Sequence, residues 1–292
     1  MPKAPTNIAA SVRARLLNLS KERGVSFDLI ANRYVIERLL YRLGVSPHAD
    51  RFVLKGATLL MTWLDTPHRG TRDLDLLGFG DPGPDQMLAI FCDVLAQDAP
   101  DDGVVFDAGG LVVDRIREML AYGGLRLRTT ASLNGAIVPV SIDIGFGDAL
   151  EPGDEMLDFP VLLAMPAPRV RAYARETFIA EKFEAMVALG RANSRMKDFY
   201  DIWVLGQTFE FSDDRLARAI AATFARRKTA IPSELPDALS ADFANDPSKQ
   251  AQWRAFVTGV AIPPGALADV VAALAAFLMP HAVHAQRLAE EG

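Results

Sequence analysis

Apolar and polar positions alternate along this chain with two different periods, and the change from one to the other divides it. Between Ser26 and Gly44, Leu29, Ile30, Tyr34, Leu39, Leu40 and Leu43 recur at close to helical spacing, with Ser26 placed as an N-cap. Residues 8–45 are therefore predicted as two helices, the second stopped by Gly44. A short apolar run, Phe52 to Leu54, reads as a strand ending at Lys55-Gly56, and Ala57 to Leu64 reads as helix. From Arg69 to Leu77 the pattern changes to a period of two, which marks a half-buried strand, and Gly78, Gly80 and Pro82 to Pro84 end it. Met87, Leu88, Phe91, Val94 and Leu95 make one side of a predicted helix over 84–96. Strands are predicted at Val104 to Phe106, Leu125 to Ala131 and Ile137 to Ile144, the last preceded by the hairpin signal Asn134-Gly135.

Residues 148–158 read as an acidic loop, and Pro160, Pro166 and Pro168 mark a seam. Beyond about residue 170 the strand signals stop. Arg175 to Leu189, Met196 to Leu205, Asp213 to Ala225 and Pro264 to Leu278 read as helices, with a loop over 229–250. The expectation is an α+β chain: a small mixed sheet flanked by helices over residues 1–165, then a mainly helical domain over 166–292.

Composition narrows the function classes. Half of the 292 residues are hydrophobic and 23% are charged, ordinary globular proportions. The single cysteine, Cys92, excludes an internal disulfide and a cysteine-built zinc site. Neither a secretory leader nor an uninterrupted apolar run of about 20 residues is evident, so a cytoplasmic location with no membrane partner is expected. The net charge of −6 argues against nonspecific coating of nucleic acid. Yet ten Lys or Arg stand against four Asp or Glu between Met1 and Lys55, which reads either as solvated helix faces or as an electropositive approach for a polyanion.

Four groups of residues carry candidate chemistry. Asp73-x-Asp75 on a strand puts two carboxylates on one face, and Asp143 on another strand offers a third. Such a cluster repels itself until a hard divalent cation neutralises it. By itself an Asp-x-Asp is more often an ordinary solvated strand face. Upstream, Lys55-Gly56-Ala57-Thr58 sits at a strand-to-helix junction, where backbone N–H groups can hold phosphate; a tight turn is the plain alternative. Lys182 borders the apolar stripe of its helix, either snorkelling past the core or entering a site where its ammonium would hold a triphosphate. Asp198 and Asp201 share a helix face among Phe199, Tyr200, Ile202 and Trp203. The pair His281-x-x-His284 suggests no third metal ligand and reads as a solvated helix end.

In their order along the chain, Lys55-Gly56-Ala57-Thr58, Arg72-Asp73-Leu74-Asp75, Ile142-Asp143-Ile144-Gly145-Phe146-Gly147-Asp148, Ala180-Glu181-Lys182 and Arg195-Met196-Lys197-Asp198-Phe199-Tyr200-Asp201 resemble the AbiEii/AbiGii toxin family of nucleotidyltransferases, within the DNA polymerase β-like superfamily. The likeness covers roughly residues 30–205. It implies a polymerase β-like fold and the toxin of a bacterial toxin–antitoxin or phage-defence pair. Such a protein transfers a nucleoside monophosphate from an NTP to an acceptor such as the 3′ end of tRNA, and has a cognate antitoxin. It further implies Asp73 and Asp75 as metal and catalytic residues for Mg²⁺ (or Mn²⁺), with Asp143 as third carboxylate. Lys182 and Asp198 would complete the catalytic set, and Lys55, Gly56, Thr58 and Arg72 would lie along the nucleotide. Ala57 stands where the superfamily usually has Gly or Ser, which leaves Thr58 as the nearest hydroxyl. Two rivals stay open: nucleotidylation of a protein or small-molecule hydroxyl, and a binding module without catalysis.

Overall fold

The computed structural model describes residues 7–64, 72–116 and 123–291. Two units divide them: residues 7–64, 72–147 and 155–172 make the first, and 148–154 with 173–291 make the second. Arg69, Gly70 and Thr71, the start of the strand expected over 69–77, lie outside the described residues.

The first unit opens with α1 (Ile8–Arg23), capped by the Asn7 side chain accepting the Ala10 N–H at 2.9 Å, and closed by Gly24 at φ +65°. Ser26 caps α2 (Phe27–Val45) by accepting the Leu29 N–H. Gly44 does not stop this helix. A Cβ there would lie 2.5 Å from the carbonyl oxygen of Arg169, so the glycine admits a passing backbone instead of ending the helix. Next come β1 (Phe52–Lys55), a 3₁₀ turn over Gly56–Leu59, the short α3 (Leu60–Trp63) and β2 (Asp73–Gly78). Pro84 starts α4 (Pro84–Leu95), whose stripe of Met87, Ile90, Phe91, Val94 and Leu95 is buried, with the Phe91 ring 5.2 Å from that of Phe52.

Strands β3 (Val105–Phe106), β4 (Val112–Ile116), β5 (Gly124–Leu133), β6 (Ala136–Phe146), β7 (Asp154–Asp158) and β8 (Arg169–Tyr173) complete a mixed sheet of order β3-β5-β6-β2-β1-β8-β7, with β4 also paired to β5. β4, β7 and β8 were not foreseen. β4 has an irregular exposure pattern with no clean alternation, and β7 falls in the stretch expected as an acidic loop. Asn134 and Gly135, at φ +45° and +81°, form the two-residue turn that pairs Leu133 with Ala136 and sets the β5–β6 register. Leu74, Leu76, Ile142, Ile144, Leu125 and Leu127 fill the core face of the sheet.

The second unit is helical: α5 (Arg175–Leu189), α6 (Met196–Thr208), α7 (Asp213–Arg227), α8 (Ala241–Asn245), α9 (Pro247–Val257) and α10 (Leu267–Glu291). The region expected as a loop over 229–250 thus contains α8 and the start of α9. α10 runs on past Leu278 and through Pro280. An interior proline costs a helix about 3 kcal/mol, and continued burial at Ala282 and Ala285 offsets it. So do His281 and His284, whose Nδ1 atoms lie 2.7 and 2.8 Å from the two oxygens of Asp213 on α7. By length and composition α10 is apolar enough to cross a membrane. Its buried residues nevertheless follow one stripe, Leu267, Val270, Val271, Leu274, Leu278, Ala282 and Ala285, as a helix packed on α6 and α7 requires.

Candidate functional site

The strand pairing turns the Asp-x-Asp motif into a surface. β2 lies parallel to β6, with Asp73 opposite Ser141 and Asp75 opposite Asp143. β6 lies antiparallel to β5, with Ser141 opposite Arg128 and Asp143 opposite Arg126, and on the other flank Lys55 of β1 faces Asp75. Residues in register share a face, so one row across the sheet reads Lys55, Asp75, Asp143, Arg126, and the next reads Asp73, Ser141, Arg128. The alternate residues on these strands are the apolar core. The sheet therefore shows hydrocarbon on one side and this polar set on the other.

Asp143 is held by Arg126: Nε donates to Oδ1 at 2.7 Å and Nη2 to Oδ2 at 2.6 Å, a bidentate pair. Those hydrogen bonds, then the charge of Asp143 and the charges of Asp73 and Asp75, raise the pKa of the guanidinium above its ordinary value. Arg126 is thus a built-in counter-ion for the acidic row. The sequence reading missed it, although the register of the hairpin at Asn134-Gly135 pairs it with Asp143.

Gly56 stands on the other flank at φ +71°, and a Cβ on it would fall 2.1 Å from Oδ2 of Asp75. The turn can thus pass the carboxylate only with glycine at this position. Thr58 is fully buried, and its hydroxyl donates to the carbonyl of Asp73 at 3.2 Å. It braces the start of β2 and is not exposed to offer that hydroxyl to a phosphate. Arg72, immediately before β2, is exposed.

Among the described residues, no group of three or more His, Cys, Asp or Glu side chains is arranged to hold a metal ion. The residues present still fit a hard divalent cation in the two-carboxylate manner. Asp73 and Asp75 share the face, Asp143 has both oxygens on Arg126, and Mg²⁺ commonly takes one or two carboxylates and completes its shell with water and phosphate oxygens.

The second unit contains a separate charged cluster. Lys182 on α5 is 8% exposed, and Asp198 and Asp201 on α6 are fully buried. The Lys182 ammonium lies 2.5 Å from Oδ1 of Asp198, 3.0 Å from Oδ2 of Asp201 and 4.6 Å from the centre of the Phe178 ring. Arg195 Nε approaches the other Asp198 oxygen at 2.6 Å. Glu181, beside Lys182 in sequence, accepts from the Tyr173 hydroxyl at 3.0 Å and pairs with Arg227, which also binds Asp148 and Glu184. Part of the acidic stretch after residue 147 is accordingly internal wiring of this unit. The N-terminal cations divide likewise: Arg38 and Arg42 are buried against Glu37 and Asp102, while Arg13, Arg15 and Arg23 are exposed.

A mixed sheet flanked by helices, with a helical region following it, is the α+β fold of the nucleotidyltransferase class. The chain belongs to the AbiEii nucleotidyltransferase toxin family of type IV toxin–antitoxin systems, whose profile matches residues 38–276. Among solved structures it is similar to JHP933 from Helicobacter pylori, at 16% identity and a TM-score of 0.49 over 91% of this chain and 94% of that one. A second H. pylori chain, described as a candidate nucleotidyltransferase, shows 16% identity and a TM-score of 0.48 over 91% and 97% of the two chains. No curated protein matches the sequence.

Proposed function

We propose that this toxin-family protein is a Mg²⁺-dependent nucleotidyltransferase that moves a nucleoside monophosphate from an NTP to a hydroxyl at the 3′ end of an RNA, tRNA being the acceptor the family resemblance implies. The observation that carries the proposal is the pairing of Asp73 and Asp75 on one sheet face, with the Asp75 carboxylate set against a turn that only glycine fits. In this reading the two aspartates hold the cation, and the backbone of the Gly56 turn with Lys55 and Arg72 lies along the phosphates. Bound Mg²⁺ would neutralise phosphate charge and stabilise the attacking and leaving oxygens. The acceptor oxygen bonds to the α-phosphorus, the bond from that phosphorus to the bridging oxygen breaks, and pyrophosphate leaves. The acceptor proton passes to a carboxylate, for which the same sheet face offers Asp143. Lys182 and Asp198, to which the resemblance gives triphosphate-binding and catalytic roles, are taken up with Asp201 in the buried ion-pair cluster of the second unit. The reaction belongs to the cytoplasm, where NTPs and tRNA are found, and the type IV family places an antitoxin as its partner.

The test is incubation with each α-³²P-labelled NTP, Mg²⁺ and total RNA, beside an Asp75→Ala control. Label entering tRNA with the parent protein and not with the variant is expected. Label on protein, or transfer that survives loss of Asp75, would overturn the acceptor or the site respectively.

A further inference from the structure

A cavity of about 460 Å³ opens in the first unit between the start of α2 and the β6 edge of β2, lined among others by Phe27, Asn32, Arg72, Asp73, Arg128 and Ser141. Its volume is in the range of small-ligand pockets. Its place relative to the aspartates is informative. Sheet order is β5-β6-β2-β1, so the Gly56 turn flanks β2 on the β1 side and the cavity flanks it on the β6 side. Asp73 is common to the sheet site and the cavity wall.

The lining is mixed in a way that suits one class of ligand. Phe27 is half-buried and offers an aromatic surface of the kind that bases stack on. Asn32 is 7% exposed, and its Nδ2 donates to the carbonyl of Pro139 at 3.4 Å, which leaves Oδ1 with no hydrogen-bond partner. A buried amide oxygen without a donor is costly, and an N–H from a base edge would satisfy it after a small side-chain adjustment. Arg128 is an exposed cation at the same cavity, suited to a phosphodiester.

From this geometry we infer that the cavity is the acceptor subsite, taking the terminal nucleoside of a single-stranded RNA end, with Asn32 on the base and Arg128 on the adjoining phosphate. The inference rests on the nucleotidyl-transfer reading above. In-line displacement sets the attacking and leaving oxygens on opposite sides of the phosphorus. With the triphosphate along the Gly56 turn, the attacking hydroxyl approaches from the opposite flank of β2, where the cavity lies. The NTP base is the alternative occupant of the same chemistry, and the experiment separates the two.

Anisotropy of a fluorescent single-stranded RNA with a free 3′-hydroxyl measures acceptor binding without turnover, and calorimetry with each NTP and Mg²⁺ measures the other substrate. Arg128→Ala alters an exposed side chain whose partner, Asp114, is itself solvated, so folding is preserved; Asn32→Leu keeps the buried volume. Each variant is expected to weaken RNA binding at least about fivefold, with NTP affinity within about twofold. Arg128→Ala should also lower the slope of log affinity against log salt by about 0.7, which a purely structural change would not do. Unchanged RNA affinity in both variants, loss of NTP affinity in its place, or a parent protein that does not bind RNA would each overturn the subsite. Were RNA binding lost as expected while no labelled nucleotide is ever transferred, the cavity would stand as a binding site for an RNA end, and the transferase reading, with the word acceptor, would fall.

Discussion

The two charged clusters, one in each unit, use the same side-chain chemistry and differ in what water reaches. On the sheet, Asp73, Asp143, Arg126 and Arg128 face solvent at least in part, and hydration shares the work of stabilising their charges. In the helical unit, Lys182, Asp198 and Asp201 lie where water is nearly absent, so each charge depends on the others. The first arrangement can exchange partners with an incoming ion at modest cost. Removing a member from the second strands a buried charge.

That contrast predicts opposite outcomes for two alanine variants. Lys182→Ala leaves two buried carboxylates without their ammonium and should cost about 3–5 kcal/mol, read by urea unfolding; a loss under 1 kcal/mol would mean that water reaches the cluster. Asp75→Ala should leave the melting temperature within about 2 °C while abolishing transfer at least about 100-fold.

A buried pair within the first unit extends the comparison. Glu37 and Arg38 are both fully buried with 2.9 Å between them, and burial raises the Glu37 pKa from 4.5 to about 7 against the opposing Leu162 N–H and the charges of Arg38 and Arg33. The folded protein thus holds a proton that the unfolded chain has released between those values. Stability from this group is complete below about pH 4.5, falls as pH rises toward 7, by on the order of 3 kcal/mol, and is flat above. Glu37→Gln should flatten that slope in denaturant titrations at pH 5 and pH 7.5. The same slope in the variant would assign it elsewhere.

Smaller effects are expected at the sheet. Gly56→Ala forces a Cβ onto the Asp75 carboxylate and a side chain onto positive φ, about 1–2 kcal/mol in stability. A displacement of about 1 Å at the proposed cation site should lower kcat about 100-fold. Retained kcat would show that Asp75 adapts. Arg126→Ala should cost under about 1 kcal/mol, since its pair with Asp143 is partly solvated, and should lower the Mg²⁺ concentration needed for half-maximal activity, because a second carboxylate oxygen becomes available beside Asp75. A higher Mg²⁺ requirement would show that the guanidinium organises the site.

How much of this was legible in the sequence depends on the element. The period of two over Asp73 to Leu77 gave the facing of both aspartates directly, because a strand's geometry allows no other. Lys182 was ambiguous, since a helical stripe border is compatible with snorkelling as well as with burial, and only the packing of α5 on α6 decides it. Gly44 was misread because a helix-ending glycine and one that admits a crossing backbone have the same local signature. The partner of Asp143 was more accessible than it looked. A two-residue turn at Asn134-Gly135 pairs residues whose numbers sum to 269, which places Arg126 opposite Asp143 by counting alone. β8 had no comparable anchor: it enters the sheet through a parallel pairing with β1, more than a hundred residues away.

The same hairpin puts an unusual requirement on an exposed loop. Surface turns ordinarily accept insertions. Here the tip sets a parity: one added residue would send Arg126 to the apolar side of the sheet while Asp143 kept its place, and two would restore the facing but slide the pair apart. Asn134 and Gly135 can be exchanged for other residues that tolerate positive φ, but their number cannot change. A variant library across this turn would separate length from identity, and the active members should share one length.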